Sequence, residues 1–597
     1  MSKKAHLVDL AGELERHLGD PHDPASRMSF KDVLEFDERE EYPYPLLNML
    51  QRRHLPEYAL PGSHGGMATD VEVGFNLMRM VARRDPTSAA ALMLTSLAFM
   101  PTWIAGTDEQ KRHLISAIKN GGVYAWGLSE RDHGSDLLNN GMRAVKVDGG
   151  YLLGGEKWLI GNATVADGLA IFARTDPKGG PAGYSIFMLE KRKAPAGTVD
   201  ELPNERLHGL RAIDMSGVRL DGVFVPDSAL VGREGQGLEL ALKTAQTART
   251  VIGCLALSAA DTSMRVVMDF AENRIIFGKA VADIPYSRRQ LVECFADLFI
   301  GDAVALGAVR ALQVAPQQTS VWSSVSKYFL PTLFEGTVSQ LNVVIGARFY
   351  LRAHPHYGIQ QKMGRDLVVA NFADGNTVVN LKNIALQLDQ LVATMGDAGE
   401  ELRAESIERV GVLYDMDAEM PPYQPWRQEL FSRGKDDALL AFPDSLAKLR
   451  VLAADAKPQE RDWLLRAADA AETLVGQAPR LREECAALRE QFGKEYAQSA
   501  ELFDLAKQYS LMHAAAACVH THVYSHGLME DPLPSGALLL LQMERLHRHF
   551  RPHEAITDVA VVDEVMRILR HMYRENRLFS YWQFQLADRG DVASAHN

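Results

Sequence analysis

A few short stretches of this chain carry residues whose types and order could do chemistry. The first is Trp126-Gly127-Leu128-Ser129-Glu130-Arg131-Asp132-His133-Gly134-Ser135-Asp136. A strand that closes in small and hydroxyl residues and then a Gly-Ser-Asp turn offers backbone N–H groups and a hydroxyl to an anion or a ring edge. The second, Gly154-Gly155-Glu156-Lys157-Trp158-Leu159-Ile160-Gly161-Asn162, is another strand ending in an aromatic and a turn. Taken alone, the first stretch also fits an ordinary hairpin with a buried Trp. Asp374-Gly375-Asn376 fits a helix-breaking turn with an Asx cap. Cys518, His522 and His526 fall at i, i+4 and i+8 on one helix face, with His513 and His520 nearby. That spacing could hold a metal, but no separate carboxylate or Cys pair accompanies it. Core or exposed histidines are the better reading, and no metal is expected.

Elements of two kinds must position these residues. Residues 69–83 and 87–105 repeat apolar side chains at three- and four-residue spacing, and an amphipathic run from Asp108 stops at Gly121-Gly122. These predict helices. From about 122 the pattern changes to short β-branched or aromatic runs separated by Gly, Asp and Pro: VYAWGLSE, MRAVKV, YLLGGEKWLI, GLAIFART, YSIFMLEK and GVFVPD. That is an antiparallel sheet signature. Helical periodicity returns over 237–275, 284–313, 318–348 and 365–392, and a linker near 395 leads into a further helical stretch. The expected class is α+β: an N-terminal helical domain (1–121), a central antiparallel β-barrel or sandwich domain (122–235), a C-terminal four-helix bundle (236–395) and an extra all-helical extension (396–597).

Composition bounds the function classes. The 597 residues have 47% apolar and 24% charged side chains and a formal charge of −13. That mild acidity argues against a dedicated nucleic-acid surface, which would need a basic stripe, although an anionic small ligand can still meet a locally basic site. Four widely spaced cysteines suggest reduced thiols. The N-terminal residues lack a signal-peptide h-region, and no stretch approaches the roughly 20 apolar residues of a bilayer span. A cytoplasmic protein, with a membrane role unlikely, is the expectation.

Several segments, in order, resemble the acyl-CoA dehydrogenase family. GLSERDHGSD is similar to the family's A-x-x-T-E-P-x-A-G-S-D, with Ser129 at the Thr position and Glu130, Gly134, Ser135 and Asp136 matching. GGEKWLIGN resembles N-G-x-K-x-W-I-T-N through Gly155, Lys157 and Trp158. GVFVPDSALVGREGQG resembles the family's closing strand and loop. Arg274-Ile275-Ile276-Phe277-Gly278 matches R-x-x-F-G, and Arg365-Asp366 followed by Ala373-Asp374-Gly375-Asn376 stands where the family has R-D … Y-E-G-T. The resemblance covers about residues 50–390.

The resemblance implies an FAD enzyme that forms an α,β-double bond in an acyl thioester, on CoA or on an acyl-carrier protein. Trp126, Leu128 and Ser129 would line the flavin, Trp158 would stack near it, and Ile160 would replace a hydrogen-bonding Thr. Gly134 and Ser135 would lie near cofactor or substrate phosphates. Arg274 and Phe277 would reach the FAD of a neighbouring subunit, which implies a homodimer or homotetramer. An electron acceptor such as an electron-transfer flavoprotein is implied as well. Asn342 and Gly346 stand in the family's Q-x-x-G-G-x-G stretch, of which only Gly346 survives, while Arg348 brings a bulky cation that could instead pair with a phosphate. Asn376 replaces the usual Thr, and Val378 the usual Gln. Arg249 and Gly375 are expected at the substrate.

Asp374 would be the catalytic base that removes the α-proton. The family usually has Glu there, so this carboxylate sits about a bond length further back, a displacement that can cost about 10²-fold in rate. Gln246, Thr247 and Ala248 beside Arg249 offer no alternative carboxylate. Two other readings remain at this stage: a flavin oxidase or monooxygenase on the same scaffold, and a family member that binds without catalysis.

Overall fold

The computed structural model describes residues 2–373, 375–550 and 558–587. By its contacts the chain forms two compact units: residues 32–248 with 422–430, and residues 1–31, 249–421 and 431–597.

The 32–248 unit begins with helices whose starts are written into the sequence. Asp70 caps Val71–Ala82 by accepting from Glu72 N–H, and Asp85 caps Pro86–Ala105 by accepting from Thr87 and Ser88 N–H. Thr107 and Gln110 form a reciprocal capping box on Asp108–Lys119. Each cap satisfies backbone donors that a helix start leaves unpaired.

The sheet has eight strands: β1 Tyr124–Gly127, β2 Arg143–Val147, β3 Gly150–Gly161, β4 Gly168–Arg174, β5 Tyr184–Glu190, β6 Val199–Leu202, β7 Met215–Pro226 and β8 Leu230–Val231. Their order is β6-β7-β3-β2-β4-β5-β8, with β1 alongside β4. Most of the sheet's pairings are antiparallel, as expected, with two exceptions. β1 runs parallel to β4, with Trp126 opposite Ala170, and β2 touches β4 in parallel at Arg143 and Arg174. Residue alternation fixes which face is buried, but neighbour order depends on crossovers that local pattern does not encode. The reading also missed β6 and β8. β6 reads Val-Asp-Glu-Leu and is exposed or half-exposed throughout; β8 has only two residues.

β3 is kinked twice against β7. Register shifts fall between Leu153 and Gly155 and between Trp158 and Ile160, with Gly155 at φ +135° and Leu159 at φ +58°. Such bulges redirect side chains at the end of a strand. Tyr151, Leu153, Ile160, Leu169, Ile171, Phe187, Val218 and Val223 build the core against which β3 lies.

The second unit is helical among its described residues apart from a short ribbon, Ile275–Ile276 with Lys279–Ala280. Gly253–Asn273, Pro285–Val314 and Thr319–Ile345 pack together, and Gly358–Leu367 and Thr377–Ala385 pack onto them. The expected single run 237–275 breaks at Ile252. The expected run 365–392 is several helices, interrupted where Gly375 takes φ +95°. Within this unit the extension is continuous with the bundle. Ala500–Ser525 and Gly536–Phe550 both lie on Pro285–Val314. Arg545 forks onto Asp297 at 2.7 and 2.9 Å, Arg548 reaches Glu293 at 2.6 Å, and Ser580 donates to Asp302 at 2.6 Å. Two apolar helical stretches, Pro86–Ala105 and Gly237–Asn273, are long enough to cross a bilayer, contrary to the sequence reading; 72% and 94% of their apolar windows are buried in the protein.

Candidate active site

In the sheet unit, β1 ends at Gly127 and the chain turns through Leu128-Ser129-Glu130. Ser129 ties this turn to β3 twice: its carbonyl accepts from Trp158 N–H at 3.2 Å, and its hydroxyl donates to Trp158 O at 3.1 Å. Beneath the turn lies Lys157, fully buried, with Nζ 2.8 Å from Glu130 Oε1 and 3.0 Å from Leu128 O. Tyr151, Leu153, Gly155 and Lys157 share one face of β3 by strand alternation, so the lysine points inward although it is charged. Burial pushes Lys157 down to about 8 against the pull of Glu130. Burial also opposes the charge on Glu130, but Lys157 and the N–H groups of Gly141 and Met142, at 2.6 and 2.9 Å, hold it below the usual carboxylate range. The ion pair therefore acts as a buried staple fixing the turn. The sequence reading matched both residues but saw no role in them.

Trp126 is buried and Leu128 and Ser129 are half-buried, while Gly134 and Ser135 are exposed. Space around Gly134 is open: a β-carbon there would meet nothing within 4 Å. Trp158 is half-exposed. Its indole N–H donates to Glu205 at 2.9 Å, and the Arg131 guanidinium lies 4.5 Å from its ring centroid. Neither Glu205 nor Arg131 carried a sequence signal of this role.

Ile160 is corrected. It is 3% exposed and belongs to the sheet core, so its side chain faces apolar neighbours instead of a ring edge. The bulge at Leu159 is the physical reason. Laid without a gap on N-G-x-K-x-W-I-T-N, the segment puts Leu159 at the aromatic position, Ile160 on the Ile, Gly161 at the Thr and Asn162 on the Asn. Leu159 is indeed exposed. Asn162, missed in the sequence reading, is fully buried at φ +64°; it donates to Ala91 O at 2.8 Å and accepts from Tyr42 at 3.1 Å.

In the helical unit, Asp374 lies outside the described residues. Gly375 stands at φ +95°, and a β-carbon there would meet the Arg249 guanidinium at 3.0–3.4 Å. Asn380, fully buried, donates to the carbonyls of Gly375 and Asn376 at 3.0 and 2.9 Å. The Asn376 carboxamide oxygen accepts from Val379 N–H at 2.9 Å and caps Thr377–Ala385. This oxygen is committed to the helix, so the capping reading of Asn376 describes it better than direct cofactor contact through that atom.

Asn342 ends the Thr319–Ile345 helix. Its carbonyl accepts from Gly346 N–H, and its side-chain oxygen accepts from Gln360 at 2.8 Å. Gly346 is exposed at φ +64° with open space around it. Arg348 folds back over Phe270 and Tyr357, 5.1 and 6.0 Å from their centroids. Arg274 is exposed at the end of Gly253–Asn273, and Phe277 is 97% exposed on the ribbon turn.

The histidine set is a structural network. His513 pairs with buried Asp436 at 2.9 Å, and Tyr509 donates to the same carboxylate at 2.7 Å. His520 bridges Ser445 and the Ala438 carbonyl at 2.8 and 2.7 Å. Burial brings His520 down to about 4 and His522 down to about 3. Among the described residues no group of three His, Cys, Asp or Glu is arranged to hold a metal.

Residues 25–122, 125–223 and 235–388 match the models described as the N-terminal, middle and C-terminal domains of acyl-CoA dehydrogenase. A relative named acyl-CoA dehydrogenase, from Bacillus subtilis (strain 168), is 30% identical over 248 residues, which are 41% of this chain and 65% of that protein. The chain thus matches just under two thirds of that relative's length. A crystal structure of acyl-CoA dehydrogenase complexed with FAD from Bacillus anthracis has TM-score 0.68 at 15% identity, covering 96% of this chain and 95% of that one; the likeness of fold includes the extension. The prolyl acyl carrier protein oxidase AnaB has TM-score 0.56 at 20% identity over 64% of this chain and 97% of its own.

Proposed function

Since the chain belongs to the acyl-CoA dehydrogenase family, we propose that it is an FAD-dependent dehydrogenase that forms an α,β-double bond in an acyl thioester carried by CoA or by an acyl-carrier protein. The observation that carries this reading is the turn beside Asp374, where Gly375 packs its bare α-carbon against Arg249.

The chain's own residues fit the cofactor. The Gly134-Ser135 turn is exposed with open space beside Gly134. The end of the Thr319–Ile345 helix exposes Gly346 at a positive φ, so backbone can be approached closely. The Trp158 ring, one place before the family's aromatic position, is half-exposed and held by Glu205. FAD, when bound, supplies the acceptor for the β-hydride. Asp374 takes the α-proton, and its backbone N–H polarises the thioester carbonyl as negative charge develops there. Arg249 and Asn380 hold the turn. Ser129, Glu130 and Lys157 fix the sheet-side turn carrying Leu128. Trp126 and Leu128 form its apolar wall, and Ser135 offers a hydroxyl to a phosphate.

Arg274 and Phe277 serve a neighbouring subunit in a homodimer or homotetramer. Phe277 is 97% exposed on the ribbon turn, so its ring is free to meet another molecule. Reoxidation falls to an acceptor such as an electron-transfer flavoprotein. The test is reconstitution: purified protein with FAD turns yellow, and anaerobic acyl-CoA or acyl-carrier protein bleaches it. A protein that takes up no FAD sinks the reading, and rapid reoxidation by oxygen would move it to an oxidase.

A further inference from the structure

Gln360 lies on Gly358–Leu367 and is completely buried. Its amide nitrogen donates to the Asn342 side-chain oxygen at 2.8 Å, while its own Oε1 is buried without a hydrogen-bond partner. A buried amide with an unused acceptor costs free energy that a methionine or leucine of similar volume would avoid. Filling space does not account for this residue; the one bond it makes does.

That bond decides what Asn342 shows to its surroundings. An asparagine side chain has one carbonyl oxygen and one NH₂ group. The oxygen faces Gln360, and the backbone carbonyl of Asn342 is taken by Gly346 N–H. The NH₂ group is left as the outward function. Around it the helix end is open: Val343 is 66% exposed and Gly346 is exposed with no atom near its missing β-carbon.

We infer that Gln360 is a positioning residue: it locks the Asn342 carboxamide so that its NH₂ group, and not its oxygen, is presented as a hydrogen-bond donor to an acceptor oxygen of FAD. The inference rests on the proposed FAD reading. It explains how an asparagine, shorter than the glutamine of the family pattern, works at this position: the direction of the amide is imposed from the interior.

The test is FAD affinity of the full-length apoprotein, read by quenching of FAD fluorescence. Gln360→Glu keeps the size but can only accept, so Asn342 must turn its NH₂ inward and its oxygen outward. Gln360→Met removes the bond and leaves the carboxamide free to rotate. The expected loss is about tenfold for Gln360→Met, the worth of one hydrogen bond, and more for Gln360→Glu. In an Asn342→Ala background the same substitutions should have no further effect. Gln360→Met is the variant to trust should the buried carboxylate of Gln360→Glu impair folding, which circular dichroism of the apoprotein reports. Unchanged affinity in both variants, or equal losses with and without Asn342, overturns the inference alone. Wild-type apoprotein that binds no FAD overturns the FAD reading, and this inference with it.

Discussion

The Arg249 guanidinium lies 3.0–3.4 Å from the point a β-carbon on Gly375 would occupy, and Gly375 is at φ +95°. The backbone angle favours glycine, and the guanidinium leaves little room for a β-carbon. Gly375→Ala should therefore strain the turn by about 1–3 kcal/mol and push it away from Arg249. We expect kcat/KM to fall at least about 10²-fold with FAD content unchanged. Steady-state kinetics on the reconstituted variant checks this; near-wild-type activity would show that the turn does not position the base.

Lys157→Met leaves Glu130 half-buried with its cationic partner gone. Breaking a buried pair from one side costs about 3–5 kcal/mol, so the variant should melt well below wild type, and Lys157→Met with Glu130→Gln should recover part of the loss. For Lys157 the folded value of about 8 lies below its ordinary 10.5. Between those values the unfolded chain holds more protons than the folded one, so this group's contribution to stability rises with pH from about 8 to 10.5. Thermal melts across that window should therefore show wild type gaining relative to Lys157→Met.

His520 and His522 act at the other end of the pH scale. Both are buried and brought to about 4 and about 3 from an ordinary 6.5. As pH falls below 6.5 the unfolded chain takes up protons that the folded chain refuses, so stability is lost progressively toward pH 4. The loss for His520 is about 3 kcal/mol. Denaturant titrations at pH 7, 5.5 and 4.5 should show this slope, and His520→Gln should flatten it.

The 396–597 segment completes the bundle. Arg545 and Arg548 neutralise buried Asp297 and Glu293, and Phe579 meets Phe295 edge-on with centroids 5.6 Å apart. A chain cut after residue 395 would expose those carboxylates and rings together. It should be insoluble or molten, as judged by near-ultraviolet circular dichroism; a cooperative melt of the truncated chain would contradict the packing described here. Arg545→Met in the full chain should cost about 3 kcal/mol.

Much of this was legible in advance, and the misses have physical causes. Helix starts at Asp70, Asp85 and Thr107 follow from local caps, which depend on residues only two or three apart. The α+β class and the block order followed from the switch in apolar period near 122 and back near 236. The parallel β1–β4 pairing was not legible, because 40 residues and a hairpin separate the two strands. Ile160 was misread because Trp158 was matched to the motif's aromatic, one position early; the ungapped alignment and the bulge at Leu159 both place Ile160 in the core. Glu205, Gln360 and Asn380 were silent for a different reason. Each acts through a single hydrogen bond to a distant residue, and no spacing rule announces such a bond. The packing of the extension onto Pro285–Val314 depends likewise on charges 250 residues apart.

The proposed role of Asp374 is to take the α-proton of an acyl thioester, with FAD, when bound, supplying the acceptor for the β-hydride. The most direct measurement is stopped-flow bleaching of the FAD-reconstituted protein by acyl-CoA and by acyl-carrier protein under anaerobic conditions, in wild type and Asp374→Asn. We predict prompt bleaching of wild type by at least one of these thioesters, and a rate at least about 10²-fold lower in Asp374→Asn with the same FAD content. Equal bleaching rates in the two proteins would contradict the account.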